Sequence, residues 1–223
     1  MCIGLKSIGL AIALMVLASG HASAGNIIIN GNFSLPDAAT LPNDGSVYKF
    51  VNAGDPSLTG WTVTNGSVET DVTLPTFGAP TASGNPQNLD LDGNSAGTIA
   101  QSFATTVGQT YNLSFYYSNN PYGPGAAATV TVSDSSVTPL VITHSGASNG
   151  SLDWQYVQES FVATSTAATL TFASNDPSAN TTGILLDDVS VASVPEPSSI
   201  TLLGLGGLGL AVFTRRRRSP QAS

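Results

Sequence analysis

The 223-residue chain predicts an all-β fold, a two-sheet sandwich set between a leader and an apolar tail. Three observations predict it. From Asn26 to Val191 the apolar residues recur with a period of two rather than 3.6, the spacing of a strand with one buried face. The runs are short and end at Gly, Pro, Asn and Asp, which supply turn geometry. No stretch in that region holds an amphipathic helix pattern for three turns, so two stacked sheets of about eight or nine strands bury these positions most economically.

Strands are predicted at 26–29, 61–64, 68–74, 98–103, 110–117, 128–133, 156–163, 168–173 and 184–191. The clearest alternation sets Tyr111, Leu113, Phe115 and Tyr117 against Asn112, Ser114 and Tyr116; a second sets Leu170 and Phe172 against Thr169 and Thr171. Asn65-Gly66 and Asn149-Gly150 have tight-turn chemistry, and 119–125 is a Pro/Gly-rich loop. Apolar residues make up 41% of the chain, enough for a core, which excludes a disordered chain. Only 9% is charged, against about a quarter in an ordinary soluble domain. Between Asp37 and Asp188 stand 13 acids and one cation, Lys49, a net charge of −12 that excludes nucleic acid as a partner.

Residues 1–24 read as a signal peptide: Lys6, an apolar run over 8–17, then Ala22-Ser23-Ala24 with cleavage after Ala24. Cys2, the only cysteine, precedes that run, so the mature chain has no disulfide and rests on packing or on a metal. At the other end come Val194-Pro195-Glu196-Pro197, an apolar helix over 200–214, Arg215-Arg216-Arg217-Arg218, and a cytoplasmic tail over 219–223. Fifteen residues at about 1.5 Å each reach about 22 Å, a short span that snorkelling arginines and local thinning can accommodate. The positive-inside rule holds the arginines in the cytoplasm and places everything before Pro195 outside the inner membrane.

Residues 194–218 resemble the PEP-CTERM sorting signal of Gram-negative, exopolysaccharide-producing bacteria, with a Pro-Glu-Pro triplet, a Gly/Leu-rich span and a basic cluster in that order. The resemblance implies an exosortase partner, a transient inner-membrane anchor, removal of the tail near Pro195-Glu196-Pro197, and delivery to the cell surface or extracellular matrix. Without it, the same residues read as a permanent single-span anchor. Within 25–193, Asn30-Gly31-Asn32-Phe33-Ser34, Gly60-Trp61-Thr62-Val63, Leu89-Asp90-Leu91-Asp92-Gly93-Asn94, Gly97-Thr98-Ile99, 103–111 and Leu186-Asp187-Asp188-Val189-Ser190-Val191 stand in order. In that order they resemble the choice-of-anchor C proteins, which implies a galactose-binding-like jelly roll, a fold shared with many carbohydrate-binding modules.

On the last strand Asp187 has the parity of Leu185, Val189 and Val191, and a carboxylate on a buried face must be paired or hold a cation. The resemblance implies a structural calcium ion between this strand and the Asn-Gly-x-Phe loop, with Asn30, Asn32, Asp187 and Asp188 as ligands; Ser34 stands where such modules often carry Glu. The alternative is a β-bulge that turns Asp187 outward. Asp90 to Asn94 imitates an EF-hand opening, but Ser95 and Gln101 occupy the positions of the required Gly and Glu, so a polar turn is expected. Two G-x-S-x-G matches, 93–97 and 146–150, lack a following helix, and the G-x-G-x-x-G match over 204–209 falls inside the apolar span; none is read as a site.

His144, the only histidine after signal cleavage, is expected in a solvated loop at a strand end. Trp61 and Trp154 adjoin strand starts and are expected in the core. Tyr116, on the polar side of its strand, and Tyr122, in the Pro/Gly loop, form the expected ligand surface together with Asn119 and Asn120. The sequence reading is thus an exported, non-enzymatic surface or matrix protein engaging exopolysaccharide or another glycan. Its alternative is a purely structural matrix protein, and a remote one is a secreted hydrolase using His144 with Glu69 or Glu159.

Overall fold

The computed structural model describes residues 25–37, 48–72, 87–177 and 181–195. Eleven strands follow in chain order: β1 Tyr48–Asn52, β2 Thr62–Asn65, β3 Ser67–Val72, β4 Gln87–Asp90, β5 Thr98–Ala104 and β6 Thr110–Asn119. They continue with β7 Ala126–Val132, β8 Leu140–His144, β9 Gln155–Val162, β10 Ala167–Ser174 and β11 Ile184–Ser193. A six-stranded sheet runs β1-β3-β4-β11-β6-β9 and a five-stranded sheet β2-β5-β10-β7-β8, with every pairing antiparallel. The fold is an all-β jelly-roll sandwich without a helix among the described residues. The signal peptide and the apolar tail helix lie outside those residues, and within them no helix is long and apolar enough to cross a membrane.

The core forms where the alternations predicted it. Tyr111, Leu113 and Phe115 of β6 face Ala168, Leu170 and Phe172 of β10 between the sheets. Phe172 stands edge-on to Phe115 at 5.2 Å and 6.0 Å from Trp61, which lies 5.6 Å from Phe33. Each such ring contributes about 1.5–3 kcal/mol by leaving water, and this chain of rings fastens the loop carrying Phe33 to both sheets.

Residues 26–29 depart from the prediction. They form no strand but lie along β11 through mixed contacts: Ile27 N donates to Val191 O, and the Asn26 side chain takes the N–H groups of Ile28 and Val191. Strands β1 and β4 were not anticipated, β8 only through the strand end expected at His144, and the end of the run predicted over 68–74 lies outside the described residues.

The expected parity of β11 is also corrected. Its pairing with β6 shifts register between Asp187 and Ser190, a bulge that inserts one residue. Ile184 and Leu186 before the bulge, and Val189 and Val191 after it, face the core, whereas Leu185 packs with Leu152 in a separate cluster. Asp187 shares the face of Leu185, away from the core, and is nevertheless fully buried.

Candidate functional site

On β6 the residues between the core positions, Asn112, Ser114 and Tyr116, point outward and are half-buried. Register fixes their neighbours: Tyr116 lies opposite Tyr156 of β9, Ser114 opposite Gln158 and also opposite Ser190 of β11. Residues directly opposite in an antiparallel pair share a face, so two tyrosines meet on the outer surface, ring centroids 5.0 Å apart and inclined at 49°. Tyr156 is 53% exposed, and its hydroxyl donates to Gln158 Oε1 at 3.4 Å. These rings and Ser114 and Ser190 form one side of a cleft of about 600 Å³ whose other side is the N-terminal loop, with Asn26, Asn32 and Asp188 on its lining. An aromatic pair beside hydroxyl, amide and carboxylate groups suits a polyhydroxylated ligand, whose apolar ring faces stack while its hydroxyls hydrogen-bond.

The loop wall is fixed by backbone contacts. Val189 N donates to Gly31 O at 2.8 Å, Asn26 Nδ2 donates to Val189 O at 3.1 Å, and a Cβ on Gly31 would meet Val189 O at 1.9 Å, so only glycine allows this approach. Gln101, buried in β5, grips Ile29 by both its N–H and its C=O. Trp61 Nε1 donates to Asn30 O, and Phe33 is buried at φ +50°.

Of the four predicted metal ligands, the amide of Asn30 is committed elsewhere: Nδ2 donates to Leu35 O and Thr59 O while Oδ1 accepts from Leu35 N. Asn32 Oδ1 accepts from Ser34, and Asp187 Oδ1 accepts from Asp188 N. Asp188, at φ +50° in the bulge, keeps one buried oxygen, Oδ2, without a hydrogen bond, and burial raises its carboxyl above the usual range. Asn32 and Asp188 therefore reach the same cleft, and Asn30 contributes structure through its side chain.

The expected ligand surface divides. Tyr116 lines the cleft. Asn119 and Asn120 are 1% and 8% exposed, because β6 runs to Asn119 and their amides satisfy buried groups: Asn119 Nδ2 donates to Asn120 O, and Asn120 Nδ2 to Asp90 Oδ2. Tyr122 is exposed in its loop, apart from the cleft lining. Tyr156 was missed, although its parity opposite to that of Phe161 already pointed it outward.

His144 is likewise not solvated. It ends β8 with its side chain 7% exposed, Nδ1 at 2.6 Å from Asn119 Oδ1 and Nε2 at 3.3 Å from Asp153 Oδ2, beside a second cleft of about 570 Å³. Trp61 is in the core as expected, and Trp154 packs on Leu152 and Leu185. Glu69 and Glu159 lie on β3 and β9, four strand spacings apart in one sheet. That is at least about 19 Å, beyond the roughly 5–9.5 Å of a glycosidase carboxylate pair.

Comparison with known proteins adds family membership. Halomucin of Haloquadratum walsbyi (strain DSM 16790 / HBSQ001) is 31% identical over 195 residues, 83% of this chain, and the chain spans 2% of that protein's length. Among solved structures, the CBM22-1 xylan-binding domain from Paenibacillus barcinonensis Xyn10C is 18% identical with a TM-score of 0.42, covering 79% of this chain and 99% of that one. A structure described as CBM4 is 18% identical with a TM-score of 0.40, covering 74% and 99%. Neither likeness bears on what this chain binds. Residues 193–218 match the PEP-CTERM protein-sorting motif, which indicates export and membrane-anchored sorting toward the cell surface. Residues 26–192 match the model described as Protein of unknown function (DUF642), and the chain belongs to that family.

Proposed function

We propose that this chain is a non-enzymatic surface or matrix protein whose sandwich binds extracellular polysaccharide in the cleft between Tyr116, Tyr156 and the N-terminal loop, and whose tail is cut by an exosortase. The observation that carries the reading is the tyrosine pair, held at 5.0 Å on the outer face beside hydroxyl, amide and carboxylate groups. Half-exposed rings at a position where a sheet surface has no packing use for them stabilise a ligand by stacking. The test is equilibrium binding of the full chain, purified in detergent, to exopolysaccharide from the producing bacterium. Binding should be saturable and should fall at least about tenfold, the equivalent of about 1.4 kcal/mol, in Tyr116→Ala and in Tyr156→Ala. Unchanged binding in both variants would remove the site, and absence of binding by a folded chain would favour a purely structural matrix role.

The reading includes a calcium ion at Asp188, assisted by Asn32 and backbone oxygens of the loop. Support comes from the unpaired, buried Asp188 Oδ2 facing a loop fixed in place and from an oxygen-only donor set. Calcium should raise the melting temperature of the wild-type chain, and Asp188→Asn should abolish the contribution of this site.

A further inference from the structure

A second carboxylate cluster lies away from the cleft, where the turn after β4 meets the end of β10. Asp90, the last residue of β4, is well provided for: Oδ1 accepts from Asp92 N at 2.8 Å and from Gly183 N at 3.0 Å, and Oδ2 accepts from Asn120 Nδ2 at 2.9 Å. Its neighbour is not. Asp92 is 0% exposed, and neither of its oxygens has a hydrogen bond of normal geometry. Asp176, just beyond β10, presents its own buried oxygen, Oδ2, equally unpaired, while its Oδ1 accepts from Ala127 N.

Hydrogen bonds bring the two segments together: Asp176 N donates to Ser174 Oγ at 3.1 Å, Ser174 N donates to Gly97 O at 2.9 Å, and Gly97 N donates to Leu91 O at 2.8 Å, next to Asp92. Burial pushes Asp92 up to about 6; the Ser174 hydroxyl, the next largest influence, pulls it down, and the charge of Asp176 adds to the rise. Gly183 closes the place from the start of β11, since a Cβ there would stand 2.7 Å from both Asp90 Oδ1 and Asp92 Cγ. Adjacent carboxylate oxygens withdrawn from water need a positive partner or a shared proton. The only lysine or arginine among the described residues is Lys49 on β1, an edge strand two places from β4 in the sheet.

We propose that Asp92 and Asp176 hold one divalent cation, which ties the turn after β4 of one sheet to the end of β10 in the other. Among the described residues no three Asp, Glu, His or Cys groups converge on a metal. The two carboxylates are therefore completed by neutral oxygens such as Ser174 Oγ, backbone carbonyls and water, a donor set that suits calcium better than zinc. The cation here does not depend on the glycan reading, nor on Asp188.

The test follows thermal unfolding of the full chain in detergent, in calcium chloride and in chelator, for wild type, Asp92→Asn, Asp176→Asn and Asp188→Asn, with bound calcium counted by equilibrium dialysis. At a calcium concentration 100-fold above its Kd, one site raises the melting temperature by about 5–10 °C in a domain of this size. Asp188→Asn should keep this site's calcium, whereas Asp92→Asn and Asp176→Asn should each lose one calcium per chain. In chelator Asp92→Asn should melt no lower than wild type, because a neutral, isosteric side chain relieves the repulsion; in calcium the order should reverse. Asp92→Asn and Asp176→Asn binding as much calcium as wild type, or wild type binding none, would overturn the proposal. If Asp92→Asn does not fold, Asp176→Asn, altered on the less buried partner, decides alone.

Discussion

Gly31 is where the N-terminal loop comes closest to β11, and replacing it with alanine tests whether that wall of the cleft is built or merely adjacent. The new Cβ would lie 1.9 Å from Val189 O; ordinary contact begins near 3.4 Å, so loop and strand must separate by about 1.5 Å. Such a shift breaks the Val189 N to Gly31 O and Asn26 Nδ2 to Val189 O bonds, each worth about 0.5–1.5 kcal/mol net. It also loosens Phe33 from Trp61, at a further cost of about 1 kcal/mol. Against this, alanine restricts the unfolded chain and gains about 0.4–1 kcal/mol. The balance is a destabilisation of about 2 kcal/mol. Urea unfolding followed by tryptophan fluorescence reads it directly, because Trp61 donates to Asn30 O in the same loop; the midpoint should fall with the m-value unchanged. A loss below about 0.5 kcal/mol would refute the reasoning by showing that the loop yields without cost. Glycan affinity should fall with stability, since Gly31 and Val189 both line the cleft.

Two further outcomes follow from other contacts. Gln101→Leu keeps the side-chain volume but leaves Ile29 N–H and C=O without their partner, so it should destabilise by about 2–4 kcal/mol in the same urea assay. Replacing Pro195, Glu196 and Pro197 together by alanine should leave the full-length precursor in the membrane fraction, seen as an unshortened band on immunoblots, while wild type is shortened.

The sequence displayed the fold wherever alternation was long and uninterrupted. β6 and β10 carry three inward apolar residues each, and both were placed correctly because a slip of one residue would have exposed the whole set. Alternation failed at β11, where the bulge between Asp187 and Ser190 reverses the parity that Leu185 and Val189 suggested; the carboxylate of Asp187 at an apolar parity was its mark in the sequence, and the bulge stood there as the alternative. β4 was missed because Gln87, Asn88 and Asp90 are polar yet buried; Gln87 and Asp90 meet partners distant in sequence, Pro36 for the first and Asn120 and Gly183 for the second. The same long-range pairing withdrew Asn119 and Asn120 from the expected ligand surface: an asparagine next to a Pro/Gly loop reads as exposed until the groups it serves are known. Tyr116 was legible from its own strand. Its coupling to Tyr156 required the β6–β9 register, which is a tertiary fact.

β11 also joins the binding reading to the sorting reading. It lies inside the six-stranded sheet between β4 and β6, carries the bulge with Asp188, and supports the N-terminal loop along its second half. At its end Val194 N donates to Thr110 O at 2.8 Å, and Gln109 Nε2 donates to Val194 O at 2.6 Å. The next residue, Pro195, has no N–H with which to continue the ladder, so the sheet stops where the Pro-Glu-Pro triplet starts. A cut on the domain side of Val194 would remove both of these bonds and fray the strand on which the cleft depends. A cut at or beyond Pro195 leaves every described contact of β11 in place. The order of residues from Ser190 to Pro197 thus separates the sandwich, with its proposed binding cleft, from the sorting motif, with no spacer between them, and the proline marks the boundary.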